Sequence, residues 1–285
     1  MISNQGLFFA LTTAFLFAAF GLLSRYLSKE SKYPLGFAII YGAISSILTV
    51  PFIFIEPWRF GNLTPLIIFV TFLATLFFGL FEANQFFARK NLEASRLSIF
   101  FQITPVVTFF GSLIFLSESI TLQKTVGVGI IFAGNLIAVY KHGGHITPRG
   151  LFYALASVIA LGLAYVADKR AFSYYPLGLY MLISYFFPIF YIFILMPRNR
   201  LISIQYELKR TGWKTFLLAI FSVSGYYMVL KTFQLTEASV AIPIIFSSTV
   251  LTALGGIIIL KERTSIPQKI IGAIVVVTGV TLLSI

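Results

Sequence analysis

Apolar stretches of about twenty residues, each long enough to cross a bilayer, follow one another along the whole chain with short polar links between them. The pattern predicts ten helices. In the first half they cover residues 6–26, 34–55, 65–88, 94–116 and 123–140. In the second they cover 148–167, 176–196, 214–235, 238–260 and 267–283. Pro34 is a good first-turn residue, and Trp58, after the second helix, is placed as an interfacial anchor. Arg89-Lys90 closes the third helix, and Lys141-His142-Gly143-Gly144-His145 reads as a hinge between halves because it is rich in turn formers. The longest link, 197–213, mixes Arg198, Arg200, Lys209 and Arg210 with Leu201, Ile202, Ile204 and Tyr206. It reads either as a short amphipathic segment on the membrane surface or as a solvated loop.

The pattern is also written twice. Leu92-Glu93-Ala94-Ser95 returns as Thr236-Glu237-Ala238-Ser239, 144 positions later, and Glu118 falls on Glu262 at the same offset. Gln123-Lys124 falls on Gln268-Lys269, Gly127 on Gly272 and Gly134 on Gly279. Gly6-Leu7-Phe8 matches Gly150-Leu151-Phe152, and Tyr33-Pro34-Leu35-Gly36 matches Tyr175-Pro176-Leu177-Gly178. A period this long is not that of a solenoid. It divides the chain into two five-helix repeats, 1–146 and 147–285. Five is odd, so the second repeat enters the membrane from the opposite side. The expected fold class is an all-α membrane protein of ten transmembrane helices in two inverted repeats, an arrangement that places a substrate site near the midplane.

Composition agrees with this reading. Of the 285 residues, 58% are hydrophobic and only 11% are charged, against roughly 25% charged in soluble domains. Mean hydropathy is +0.94. Ten spans use about 200 residues at about 20 each, leaving no room for a soluble domain. The first run lacks a basic leader and reads as a retained helix rather than a signal peptide. The net charge of +12 does not point to nucleic acid, because the basic residues sit in short links, where they act as an orientation signal. Sixteen Lys and Arg fall in the links after odd-numbered helices and five on the opposite side. That count predicts both termini outside.

Glu82 is read as the only acidic residue well inside an apolar span, about 10 Å along the helix from Arg89 at 1.5 Å per residue. A carboxylate there avoids lipid and should face the bundle, sharing a stripe with Gln85 and Arg89. It reads as a substrate contact or proton-carrying group, or else as half of a structural ion pair. Tyr226 falls on Glu82 across the repeat, with Tyr227 beside it; both suit a mostly apolar pocket. Lys231 either snorkels to the interface or faces the cavity. Gln102 precedes Pro105 in the fourth helix, where a proline frees a backbone carbonyl. Ser247 and Ser248 follow Pro243 in the ninth, as ligand contacts or packing residues. Pro105 falls on Thr249, so the two halves are expected to bend differently.

No cysteine is present, and no phosphate-binding glycine loop or Ser/His/Asp set is found. His142 and His145 stand on a glycine linker without further ligands, so no metal site is expected. The chain therefore reads as neither an enzyme nor a cofactor-binding protein. The rivals are a membrane-embedded transferase and a non-transporting subunit of a membrane assembly.

The paired five-helix halves resemble the EamA-type transporters of the drug/metabolite transporter superfamily. The residues that carry the resemblance are Phe86 to Ser95, Thr104-Pro105-Val106, Leu116-Ser117-Glu118 and Gly127 to Gly134. In the second half they are Glu237-Ala238-Ser239, Leu260-Lys261-Glu262-Arg263 and Gly272 to Gly279. The resemblance implies efflux or exchange of amino acids, metabolites or drug-like compounds across a plasma or bacterial inner membrane. It implies a cavity lined by helices 1, 3, 4, 6, 8 and 9, with a small-molecule substrate and the lipid bilayer as partners; protons, as a coupling ion, are suggested by Glu82 itself. It also implies both termini in the cytoplasm, the reverse of what the charge count predicts.

Overall fold

A computed structural model describes residues 2–92, 94–140, 147–196, 199–259 and 266–284. The hinge with His142 and His145, Glu93 of the repeated motif and Lys261-Glu262-Arg263 lie outside these residues. The described chain forms thirteen α-helices and one short 3₁₀ turn. The first half holds α1 (Asn4–Glu30), α2 (Pro34–Ile55), α3 (Pro65–Asn91), α4 (Ala94–Phe101), α5 (Ile103–Phe115) and α6 (Leu122–Val139). The second holds α7 (Pro148–Ala171), α8 (Leu177–Leu195), α9 (Arg200–Thr211), α10 (Trp213–Leu235), α11 (Ala238–Ile245), α12 (Ser248–Ile259) and α13 (Ile266–Ser284). Among the described residues ten segments are long and apolar enough to span a membrane, α4–α5 and α11–α12 each contributing one.

The starts of these helices are written locally. Thr64, Thr121 and Thr147 each turn a side-chain oxygen onto a free N–H of the first turn of α3, α6 and α7. Such a cap typically contributes about 1 kcal/mol. Pro65 and Pro148 follow two of the caps, at a position where a missing N–H costs nothing.

Two helices expected to be continuous are broken, and the breaks are equivalent. The fourth span breaks at Gln102, whose N–H reaches only to Ile99 O at 3.0 Å. The ninth breaks at Phe246 and Ser247, where Ser247 N bonds Ile244 O and Thr249 N bonds Phe246 O, both at 3.0 Å. These are tight three-residue bonds in place of four-residue ones. Positions 102 and 246 are 144 apart, so the two breaks fall at equivalent places although the prolines do not. Pro105 lies three residues after its break and Pro243 three residues before its own. The amide of Gln102 then joins the breaks, donating from Nε2 to Thr249 Oγ1 at 2.7 Å.

The helices gather into two compact units. One holds α1 up to Leu22, α4 to α6, α10 from Ser224 on, and α11 to α13. The other holds the rest of α1, then α2, α3, α7 to α9, and α10 up to Val223. Each draws on both sequence halves. The repeat is therefore a rule about how helices pair, not a boundary between packed bodies.

In the first unit α6 and α13 form an antiparallel seam of nearly touching backbones. A Cβ on Gly134 would lie 2.8 Å from Val276 N and 2.9 Å from Gly272 O. One on Gly272 would lie 2.7 Å from Ala138 N and from Gly134 O. The ends repeat the exchange: Gln123 Nε2 donates to Leu282 O, and Gln268 Nε2 donates to Ile137 O and Tyr140 O. The Gly134 contacts have their images at Gly279, against Ile131 N and Gly127 O, and the Gln123–Leu282 bond has its image in Gln268–Ile137, all at an offset of 145, which is the inverted relation in atomic form. Small residues let membrane helices approach this closely. Gly134→Val and Gly272→Val are therefore expected to destabilise alike, by at least the ~1–3 kcal/mol of overpacking. Gly129→Val is the control, since nothing lies within 4 Å of that position. Thermal unfolding in detergent compares the three, and equal loss in Gly129→Val would remove the seam as the cause.

In the second unit α3 and α7 run antiparallel, with Phe87 stacked on Tyr153 at 5.0 Å and Phe78 edge-on to Tyr165 at 6.2 Å. Leu92 covers Gly150 in this pair, as Thr236 covers Gly6 between α10 and α1 in the first unit. These are again equivalent residues.

The link 197–213 contains the helix α9, lying between the ends of two spans. Its buried residues are Ser203, Glu207 and Thr211, while Leu201, Ile202 and Leu208 are exposed. A helix, not a loop, fills this link.

Candidate functional site

Within the second unit a polar cluster is built around α3. Glu82, Gln85 and Arg89 share one stripe, and Gln85 links the two charges. Its Nε2 donates to Glu82 Oε2 at 2.5 Å, and its Oε1 accepts from Arg89 at 3.2 Å and 3.4 Å. The fully buried amide is thereby fixed in orientation. Glu82 itself is half-buried, although it lies well inside the span Pro65–Asn91.

Hydroxyls surround this charge. Tyr41 of α2 and Ser222 of α10 are hydrogen-bonded, and Tyr185 of α8 reaches the same Ser222 oxygen at 2.9 Å. Tyr41, Tyr165 and Tyr185 all lie within electrostatic reach of Glu82, and Tyr41 within reach of Arg89. Three helices thus bring a tyrosine within electrostatic reach of the Glu82 carboxylate, and Ser222 ties two of them together.

Asp168 corrects the reading of Glu82 as the only acidic residue inside a span. The sixth helix was expected to end at 167; α7 runs on to Ala171, and the span to Tyr174. Asp168 is fully buried and accepts a hydrogen bond from the Tyr180 hydroxyl at 2.7 Å. Lys169-Arg170 after it read as a link, when they are the basic last turn of a helix.

The remaining candidates lie in the first unit. The Lys231 ammonium sits 5.3 Å from the centre of the Tyr227 ring one turn earlier, a cation–π pairing. Tyr226 is buried. Ser247 stands in the break of the ninth span and Ser248 opens α12. Gln102 is buried, and among the described residues its Oε1 has no partner. Among the same residues neither side-chain polar atom of the buried Asn135 on α6 has one either. That residue was not singled out, because one Asn among glycines at helical spacing carries no signal of its own.

The most recurrent stretch of the chain has a structural job. Glu118 accepts from Ala238 N at 2.8 Å and from Ser239 N at 3.0 Å. α11 has no side-chain cap of its own, so Glu118 places a carboxylate at the positive end of that helix from 120 residues away. Lys124 pairs with Glu237 beside it and donates to Ser119. A cleft of about 310 Å³ opens there, lined by Thr121, Lys124, Thr236 and Glu237 among others.

Ten spans in two inverted repeats define a multi-pass membrane protein. The family described as the EamA-like transporter family matches residues 4–140 and again 148–285. The chain belongs to that family. No curated protein matches it. One solved crystal structure, titled only as that of a protein, is similar in fold at a TM-score of 0.67 and 14% identity. The match covers 99% of this chain and 96% of the other.

Proposed function

We propose that this protein is a secondary transporter of small organic solutes, in the direction of efflux, working by alternating access. Its substrates are amino acids, other metabolites or drug-like compounds that carry a charged group on an apolar body. The observation that supports this reading is the Glu82–Gln85–Arg89 stripe inside a spanning helix, ringed by tyrosine hydroxyls. The substrate contacts proposed from the sequence are Glu82, Gln85, Gln102, Tyr226, Tyr227, Lys231, Ser247 and Ser248, and protons are the coupling ion.

Purified protein in proteoliposomes tests this against a panel of amino acids, amines and aromatic drug-like compounds, with and without an imposed pH gradient. Counterflow of at least one class, driven by the gradient, is expected. A panel without any flux would favour a non-transporting subunit, and flux indifferent to the gradient would remove protons. Sidedness is read with a reporter fused after Ser284. The charge count predicts the outside face, and a clean cytoplasmic signal would mean that the family habit prevails.

A further inference from the structure

α9 is built inside out. Amphipathic helices on soluble proteins bury their apolar face; here Ser203, Glu207 and Thr211, spaced four apart, are the buried ones. On the opposite arc Leu201 is 69% and Leu208 51% exposed, and Trp213 follows at 71%. The chain enters α9 from the end of the span Leu177–Leu195 and leaves it into the span Trp213–Leu235. The helix is therefore pinned to a membrane face at both ends.

Its polar face is fastened to the connection between α1 and α2. Glu207 accepts from Ser31 Oγ at 3.1 Å and from Lys32 N and Tyr33 N, both at 2.8 Å. Arg210 pairs with Glu207 at 2.9 Å and donates to Leu27 O at 3.1 Å. A Cβ on Gly36 of α2 would lie 2.9 Å from Ser203 O, so the two helices touch backbone to backbone.

Exposed positive charge rims the same corner. Lys32, Lys90 and Lys209 are exposed. Lys32 lies 5.6 Å from the centre of the Tyr206 ring, and Lys90 Nζ reaches Lys32 O at 3.4 Å. The acidic residue of α9, Glu207, is fully buried and paired, so it does not oppose them.

We infer that α9 is a docking surface for an anionic lipid leaflet: its apolar arc enters the headgroup–acyl boundary, and Lys32, Lys90 and Lys209 gather acidic headgroups. The equivalent link of the first half, 56–64, has no helix, so the device belongs to one membrane face. Through Glu207 the lipid contact bears on the α1–α2 connection. Apolar burial with basic residues at the rim is the chemistry of interfacial anchoring, and a polybasic corner concentrates acidic lipid.

The chain has no cysteine, so single Leu201→Cys, Leu208→Cys and Asn62→Cys proteins can each be labelled with a fluorophore and reconstituted. Brominated phosphatidylcholine is expected to quench the labels at 201 and 208, and aqueous iodide the label at 62. Brominated phosphatidylglycerol at equal mole fraction is expected to quench 201 and 208 several-fold more than the choline lipid. The triple change Lys32→Gln, Lys90→Gln, Lys209→Gln should abolish that excess while leaving choline-lipid quenching intact. Iodide quenching at 201 and 208 equal to that at 62 overturns the docking. Equal quenching by the two lipids in the natural background overturns the anionic partner.

Discussion

Replacing Glu207 by alanine is expected to destabilise the protein by about 3–5 kcal/mol, the usual cost of removing one partner of a buried ion pair. The side chain is fully buried and serves three donors of the α1–α2 connection besides Arg210. α2 has no side-chain cap of its own; the carboxylate stands at its positive end, brought from 174 residues away. Glu207→Ala strands Ser31 Oγ and two backbone N–H groups and leaves Arg210 beside an empty pocket. Glu207→Gln keeps one oxygen for the N–H groups and should cost roughly half as much, because only the charge-assisted part of the bonds is lost. Thermal unfolding in detergent orders the two. A melting temperature within error of the natural protein for Glu207→Ala would mean that the connection is held by packing alone.

Glu82→Gln is expected to have the largest effect on transport. The substitution keeps the shape and leaves Gln85 an oxygen to donate to, so folding should survive. The charge facing Tyr41, Tyr165 and Tyr185 is lost. A hydrogen bond to a charged group contributes about 1.5–3 kcal/mol, which is roughly ten- to a hundredfold in transport. A structural role predicts the opposite split, with a lower melting temperature and near-normal flux per folded molecule, because Arg89 would lose the charge that opposes its own. Measuring both on one preparation separates the two. Undiminished transport at an unchanged melting temperature would remove Glu82 from the mechanism.

The spans were legible because crossing a bilayer imposes a length and a composition that any reader of the sequence can count. The α6–α13 seam was foreshadowed by Gly127, Gly134, Gly272 and Gly279, whose spacing repeats at 145. The stripe Glu82, Gln85 and Arg89 followed from helical spacing alone. What was not legible depends on partners distant in sequence. Glu207 lay in a link dominated by basic residues, and its importance comes from Lys32 and Tyr33. Tyr41, Tyr185 and Ser222 meet through three different helices, and tyrosines are common in apolar spans. The equivalent breaks at Gln102 and Phe246 were missed because proline was read as marking the bend itself. The weak point lies three residues to one side in each half, where the Gln102–Thr249 bond joins them.

The seam between α6 and α13 has a further consequence. Each residue on one side meets the counterpart of its own neighbours on the other, so the surface is complementary to an upside-down copy of itself. Two identical five-helix chains, inserted into the membrane in opposite directions, could form this contact with nothing added. Fusion into one chain contributes stoichiometry: one half of each orientation, always together. It also frees the halves to diverge. Glu82 and Tyr226 stand at matching positions, and a homodimer would have to carry the same residue at both.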